Sequence, residues 1–448
     1  MNQDLTGGNI TKSLLRFAFP IMVGNLLQQL YNVVDTLIVG QFLGKDALAA
    51  VGASYSLMTF LTSILMGLCM GSGVVFSICF GKKEESRMKS SIYMSFLLIA
   101  AVALLISAVV FAGIDKILVL LQVPLDIYAL MREYLWVIFW GIFAAFLYNY
   151  FAALLRAVGN SVIPLLFLGI STVLNIGLDL LFILVFHRGV QGAAEATVLA
   201  QYVSGVGIFV YTWIGFPQFR LKKENRKWRP EVLKEIVQMS FLTCVQQSVM
   251  NFGILMVQGL VNSFGAVVMA AFSVAVKIDT LAYMPVQDFG NAFSTFVAQN
   301  YGAGKTERIR RGIHSAVKTT FLFSVGVSAL VFVFARQLML IFVKPQETEI
   351  LQVGISYLRI EGSFYCLIGF LFLLYGYYRA MKHPGMSLVL TVISLGTRVV
   401  LAYLLSGIPS VGVTGIWMAV PIGWFLADAA GYGYYLKSRG LYHTESGQ

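Results

Sequence analysis

Asp35 is the side chain best placed to do chemistry, because it lies deep in an apolar stretch running from about 14 to 40. An ionised Asp at the centre of a membrane helix costs about 2.5–3.5 kcal/mol on insertion scales, so it needs a partner, a proton or water. Gln28, Tyr31 and Asn32 stand at i−7, i−4 and i−3 from it, one polar stripe expected to face the protein interior. Asn175 and Asp179, spaced i, i+4, share a face of a second apolar stretch near 162 to 186, and Thr197 lies on the stretch that follows. Carboxylate, amide and hydroxyl oxygens suit Na+, and because a carboxyl removed from water favours its neutral form, the same groups suit H+. The spacing is compatible with either ion. It is also compatible with a neutral, structural Asp35 and with Asn and Thr that hydrogen-bond between packed helices.

The elements that must hold these groups are membrane helices. Of 448 residues, 58% are hydrophobic and 12% charged, against roughly 45–50% and about 25% in soluble domains. A spanning helix needs about 20 apolar residues. Runs that meet this lie near 14 to 40, 48 to 79, 90 to 112, 133 to 158, 162 to 186 and 190 to 216, and again near 235 to 262, 268 to 300, 312 to 334, 353 to 378, 385 to 408 and 412 to 436. Twelve spans are predicted. The polar start, Met1 to Lys12, runs into a long apolar segment without a small-residue cleavage site, so no removable signal peptide is expected.

Charge gives orientation. With the N-terminus inside, the inner loops and tails carry 23 of the 32 Lys and Arg and the outer loops six, with Lys277, Arg359 and Arg398 within spans. That asymmetry predicts both termini on the cytoplasmic side of the inner (plasma) membrane. The net charge of +11 is dispersed over short loops rather than gathered on one stripe, which argues against a nucleic-acid partner.

The chain also repeats itself at a displacement of 221 to 223 residues. Gly44 with Ala49-Ala50 matches Gly265 with Ala270-Ala271, Phe80-Gly81 matches Tyr301-Gly302, Arg156-Ala157 matches Arg379-Ala380, and Gly189-Val190-Gln191-Gly192 matches Gly412-Val413-Thr414-Gly415. Six spans separate equivalents, so the halves have one membrane orientation and an axis along the membrane normal relates them. The expected organisation is an N-terminal six-helix lobe over 1–216, a basic cytoplasmic linker over 217–234 and a C-terminal six-helix lobe over 235–448. Two such lobes enclose a central V-shaped cleft that rocking exposes to either side in turn, an architecture suited to transport; a channel or a scaffold is the alternative.

The residues resemble the multidrug and toxic compound extrusion (MATE) family over nearly the whole chain. Phe19-Pro20 and the run Gln28 to Thr36 are followed by Gly40, Gly44 and Ala47 to Gly52; Asn175 to Asp179, Gly192 to Thr197 and Gln299 to Gly304 complete the pattern. The resemblance implies an all-α polytopic protein of the MOP superfold, exporting cationic or amphiphilic compounds in exchange for inward H+ or Na+. Asp35, Asn175, Asp179 and Thr197 match residues that line a cation site in the N-terminal lobe of archaeal and related bacterial members. The stretch 235 to 262 carries Gln247, Asn251 and Gln258 on one face but no acid beyond Glu235 at its entry. NorM-type members place a carboxylate there, so the chain stands nearer the DinF-like branch, with ion coupling in the first lobe and the amides serving the cavity.

The second half buries Lys277, Asp279, Asp288, Arg359, Glu361, Arg398 and Asp428. Internal ion pairing is the expectation for these charges, with Lys277 and Asp288 near one helical face. The alternative is a drug-binding carboxylate, Asp288 or Glu361. The substrate cavity is therefore expected to draw on Gln28, Tyr31, Asn32, Gln247, Asn251, Asp288 and Glu361, with Met and aromatic side chains adapting to dissimilar cations. Four Cys lie in apolar segments without CxxC spacing and four His lack a partner at ligand spacing, so no metal centre is expected beyond Na+ at the coupling site. No phosphate-binding loop, catalytic triad or nucleotide fingerprint is found, so neither an enzyme nor a cofactor is expected. The partners are small organic cations or amphiphiles and membrane lipids, and a monomer is expected to suffice. A lipid-linked precursor flippase of the same superfold is the competing reading; such proteins line their cavity with several Arg and Lys, whereas this chain places Asp and amides on its first helix.

Overall fold

The structure, a computed structural model, describes residues 4–121, 123–221 and 229–445, without the side chains of residues 254, 255 and 439–445. The central part of the basic linker, residues 222–228, lies outside the described residues. Lipid offers no hydrogen bonds to a backbone, so apolar stretches of this length satisfy their N–H and C=O groups internally, as helices.

In chain order these are α1 (Ile10–Leu43), α2 (Lys45–Gly81), α3 (Glu85–Leu120), α4 (Leu125–Ile138), α5 (Gly141–Ala157), α6 (Val162–Leu180), α7 (Gly189–Gly215), α8 (Pro230–Asn262), α9 (Ala266–Gly302), α10 (Thr306–Leu340), α11 (Thr348–Gly362), α12 (Tyr365–Ala380), α13 (Pro384–Ser406) and α14 (Val413–Glu445). Ten of the described helices are long and apolar enough to cross a membrane, and α4 with α5 and α11 with α12 form two further, bent spans.

Those bends, 46° and 52°, break two stretches that the apolar pattern predicts as single helices. No proline marks them. At each, the backbone tightens to i→i−3 bonds: Trp140 N–H to Val137 and Ile142 N–H to Phe139 at the first, Phe364 N–H to Glu361 and Leu367 N–H to Phe364 at the second.

The backbone carries the internal repeat. Left-handed conformations occur in register at Gly44 (φ 88°) and Gly265 (95°), Lys83 (59°) and Gly304 (68°), Gly159 (81°) and Lys382 (64°), and Gly189 (59°) and Gly412 (52°). Glycine recurs at the helix starts Gly44/Gly265 and Gly189/Gly412 because a Cβ is disfavoured there.

The chain divides into two compact units. Unit 1 comprises Met1–Thr6, Phe19–Cys244 and Gly302–Gly304; unit 2 comprises Gly7–Ala18, Val245–Tyr301 and Lys305–Gln448. Within unit 1, α2 meets the first turns of α8 at backbone distance. A Cβ on Gly67 would lie 2.6 Å from Cys244 Cα, and one on Gly71 2.5 Å from Ser240 Cα. Small residues allow this approach, the usual basis of helix association in lipid. Ser72 and Ser240 hydroxyls bond at 3.0 Å and Arg87 pairs with Glu235 at 2.5 Å beside it. Within unit 2, Arg308 donates to the Gly8 carbonyl at 2.8 Å and Thr11 bonds Ser315 at 2.7 Å, tying the start of α1 to α10.

Candidate functional site

In unit 1, α1, α4, α6 and α7 bring together Asp35, Tyr134, Asn175, Asp179 and Thr197, all buried, with Asp179 fully so. The i, i+4 spacing of Asn175 and Asp179 sets both on one side of α6, where the Asn175 amide satisfies both of its ends in a single orientation. Its Nδ2 then donates to Asp179 Oδ2 at 2.9 Å and its Oδ1 accepts from the Thr197 N–H and Oγ1, each at 3.1 Å. Tyr31, one turn before Asp35 on α1, bonds Thr197 Oγ1 at 3.2 Å.

Asp35 and Asp179 lie close enough to interact electrostatically. Two neighbouring carboxyls removed from water do not both ionise without cost. Asp35 Oδ1 and Asp179 Oδ1 are buried without a hydrogen-bond partner. Among the described residues no ion pair within 4.0 Å involves either acid. If ionised, the pair would hold two negative charges beside the neutral Asn175 amide, Thr197 hydroxyl and Tyr31 and Tyr134 phenols, a charge state that burial disfavours. A π-helical turn, Leu181–Val185, begins two residues after Asp179; such turns are rare and recur at functional sites.

The polar stripe predicted on α1 divides. Tyr31 and Asp35 face the cluster. Asn32 points its amide at Tyr55 Oη on α2 (3.5 Å) and at Gln29 Oε1 (3.3 Å). Gln28 is exposed, because seven residues of helix carry it about 10 Å along the axis from Asp35. Tyr134 is a member that the sequence reading missed. Its neighbours are Asp35, Tyr31 and Asp179, and the available signal was the repeat, since Tyr134 plus 223 is Tyr357.

The remaining predicted residues lie in unit 2. Gln247 and Asn251 are half-buried on α8, whereas their neighbour Gln246 is the buried amide, donating to Thr391 Oγ1 at 3.2 Å. Glu361 (1% exposed) lies with Asp279 (4%), Tyr357, Tyr365 and Arg398. Asp288 is buried on α9 nine residues from Asp279, half a turn round the helix, and so faces away from that group.

The ion pairing expected of the second-half charges is corrected. Among the described residues no ion pair within 4.0 Å involves Lys277, Asp279, Arg359, Glu361, Arg398 or Asp428. Lys277 is exposed, and the Arg359 guanidinium instead lies 5.4 Å from the Phe332 ring centroid. Helical spacing fixes which residues share a face but not what that face meets. No group of three or more His, Cys, Asp or Glu suited to a metal occurs among the described residues.

The chain matches the MatE family over residues 20–181 and 240–404. It is 30% identical over 439 residues to the probable multidrug resistance protein YpnP of Bacillus subtilis (strain 168), covering 97% of each. It is 27% identical over 420 residues to the probable multidrug resistance protein NorM of Thermotoga maritima, covering 92% of this chain and 89% of that one. A solved structure described as the outward-facing conformation of a multidrug resistance MATE family transporter of the MOP superfamily superposes with a TM-score of 0.91 over 98% of both chains at 24% identity. A MOP superfamily transporter from Pyrococcus furiosus superposes at 0.89 over 96% of both chains, also at 24% identity. At that identity these structures establish the fold, an all-α multi-pass membrane protein of about twelve spanning helices.

Proposed function

The chain belongs to the MatE family, and we propose that it is a secondary antiporter, exporting cationic or amphiphilic compounds in exchange for inward H+ or Na+ by alternating access. The observation that carries this reading is the interacting acid pair Asp35 and Asp179, buried beside the neutral Asn175 amide, Thr197 hydroxyl and Tyr31 phenol. A group of that kind at membrane depth is stable only when it holds positive charge, and it can take that charge from one side and release it to the other. The relatives named for multidrug resistance support export of drugs as the work done.

In this scheme Asp35 and Asp179 hold the ions, Asn175 fixes the Asp179 carboxyl, and Thr197 links the Asn175 amide to Tyr31 on α1. The same helix has its first turns in unit 2 and Asp35 in unit 1. Ion occupancy at Asp35 thus bears on an element shared by both units, and Pro20, which cannot donate to the residue 16 carbonyl, gives that helix a place to bend. One inward cation supplies about 2.3 kcal/mol per 100 mV and about 1.4 kcal/mol per tenfold gradient, enough to drive a neutral compound several hundred-fold. The Lys and Arg asymmetry supports a plasma-membrane protein with both termini in the cytoplasm.

The test is dye efflux from proteoliposomes with a pH or Na+ gradient imposed alone. The wild-type chain should respond to at least one gradient, and Asp35→Asn/Asp179→Asn should respond to neither while remaining monodisperse and helical. Gradient-driven efflux by the double variant would reject the assignment.

A further inference from the structure

We propose that Arg398 is a built-in counter-cation that fixes the ion selectivity of unit 2, keeping its buried acid pair, Asp279 and Glu361, from taking up a metal cation. The repeat carries the first half of the argument. At the displacement of 223 shown by Arg156/Arg379 and Gly189/Gly412, Arg398 on α13 is the equivalent of Asn175 on α6, and Tyr357 on α11 is the equivalent of Tyr134 on α4. Both units therefore build a buried polar cluster on equivalent positions of two equivalent helices. The acids do not correspond. Asp35 and Asp179 align with Met256 and Ala402, while Asp279 and Glu361 align, at displacements of 221 and 223, with Met58 and Ile138. Unit 2 has an independent acid pair, and it carries an arginine where unit 1 has an uncharged amide.

The geometry carries the second half. Asp279 and Glu361 are 4% and 1% exposed, and Tyr357 Oη donates to Asp279 Oδ2 at 3.4 Å. The titratable and charged groups that face them are Tyr283 on α9, Tyr357 on α11, Tyr365 on α12 and Arg398 on α13. Arg398 is an electrostatic neighbour of both acids, yet no nitrogen–oxygen distance to either falls within 4.0 Å. Arg398 Nε, Asp279 Oδ1, Glu361 Oε1 and Tyr365 Oη are all buried without a hydrogen-bond partner. The cluster thus leaves one oxygen of each acid unpaired, and it already contains a fixed positive charge.

Charge decides what such a cluster accepts. Two ionised acids with one guanidinium stand at minus one, so a single proton neutralises them. A metal ion would need several oxygens converging on it in the field of a guanidinium that repels it, in an interior that screens the repulsion poorly. In unit 1 the corresponding amide is neutral and offers no such repulsion.

The test measures 22Na+ binding to purified protein at pH 8 in an Asp35→Asn/Asp179→Asn background, the one point at which the inference rests on the proposed function. With Arg398 intact, this background should bind no 22Na+ that Glu361→Gln removes. Arg398→Asn, which installs the residue of the equivalent position, should gain saturable binding at least tenfold tighter than the background, lost again with Glu361→Gln, while Arg398→Lys gains none. The inference is overturned if Arg398-intact protein shows Na+ binding that Glu361→Gln abolishes, or if folded Arg398→Asn binds no Na+. The first of these needs no Arg398 variant, so misfolding of Arg398→Asn leaves a decisive measurement. Failure of the proposed function reads differently: Asp35→Asn/Asp179→Asn would then leave gradient-driven efflux unchanged, whatever stands at 398.

Discussion

Asp35→Asn should change the electrical character of transport rather than only its rate. The amide is isosteric with the carboxyl and can donate its N–H to a neighbouring acceptor, so the packing of α1 on α6, where Gly24 meets Leu165 and Leu168, survives. On the proposed function, what falls is the charge capacity of the site, from two cations to one. For a monovalent cationic dye, two ions entering per dye expelled leave one net charge crossing the membrane. At 100 mV and a tenfold ion gradient that drive is about 5 kcal/mol, a limiting accumulation of several thousand-fold. With one ion the exchange carries no net charge, the drive falls to about 1.4 kcal/mol, and the limit is about tenfold. The assay is steady-state accumulation of ethidium in inverted proteoliposomes, with valinomycin and potassium setting the voltage at constant ion gradient. Wild-type accumulation should rise with voltage and the variant's should not. A variant whose accumulation still climbs roughly fiftyfold per 100 mV would show that Asp35 carries none of the transported charge.

Thr197→Val removes the hydroxyl bonded to Tyr31 at 3.2 Å and to the Asn175 amide at 3.1 Å. Two hydrogen bonds at about 0.5–1.5 kcal/mol each should raise the half-saturating ion concentration for efflux fivefold or more; an unchanged value would exclude Thr197 from the site. Gly71→Ala places a methyl 2.7 Å from the Met239 carbonyl oxygen and 2.5 Å from Ser240 Cα. It should cost about 1–3 kcal/mol as α2 and α8 are forced apart, visible as a lower thermal midpoint in detergent. Gly326→Ala on α10 meets nothing within 4 Å and should leave that midpoint equal or higher, since alanine is the better helix former by up to about 1 kcal/mol. Equal effects of the two substitutions would contradict the packing described for unit 1.

The amino-acid sequence determined the spans, the repeat and the two acids of the first site, and for one reason. Lipid forces each crossing segment to be apolar and helical, so any carboxylate within one stands out against its neighbours without reference to the rest of the chain. The repeated glycines were legible for a similarly local reason, the left-handed backbone at Gly44/Gly265 and Gly189/Gly412. The two bends carry no proline, and the small residues beside them, Gly141 and the Gly362-Ser363 pair, permit but do not demand the i→i−3 tightening at Trp140 and Phe364.

Partnership was the work of the tertiary structure. Asp35 meets Asp179 across 144 residues, and Asp279 lies 119 residues from Arg398. Helical periodicity says which side of its own helix a group occupies, but not which helix packs there or at what depth. That is why Lys277, placed by spacing on a face with Asp288, proved exposed, while Tyr134, which the sequence reading did not single out, entered the candidate site. Whether a buried acid stands beside an amide or a guanidinium depends on how helices far apart in the chain come to pack, and that contact sets the charge the acid can hold.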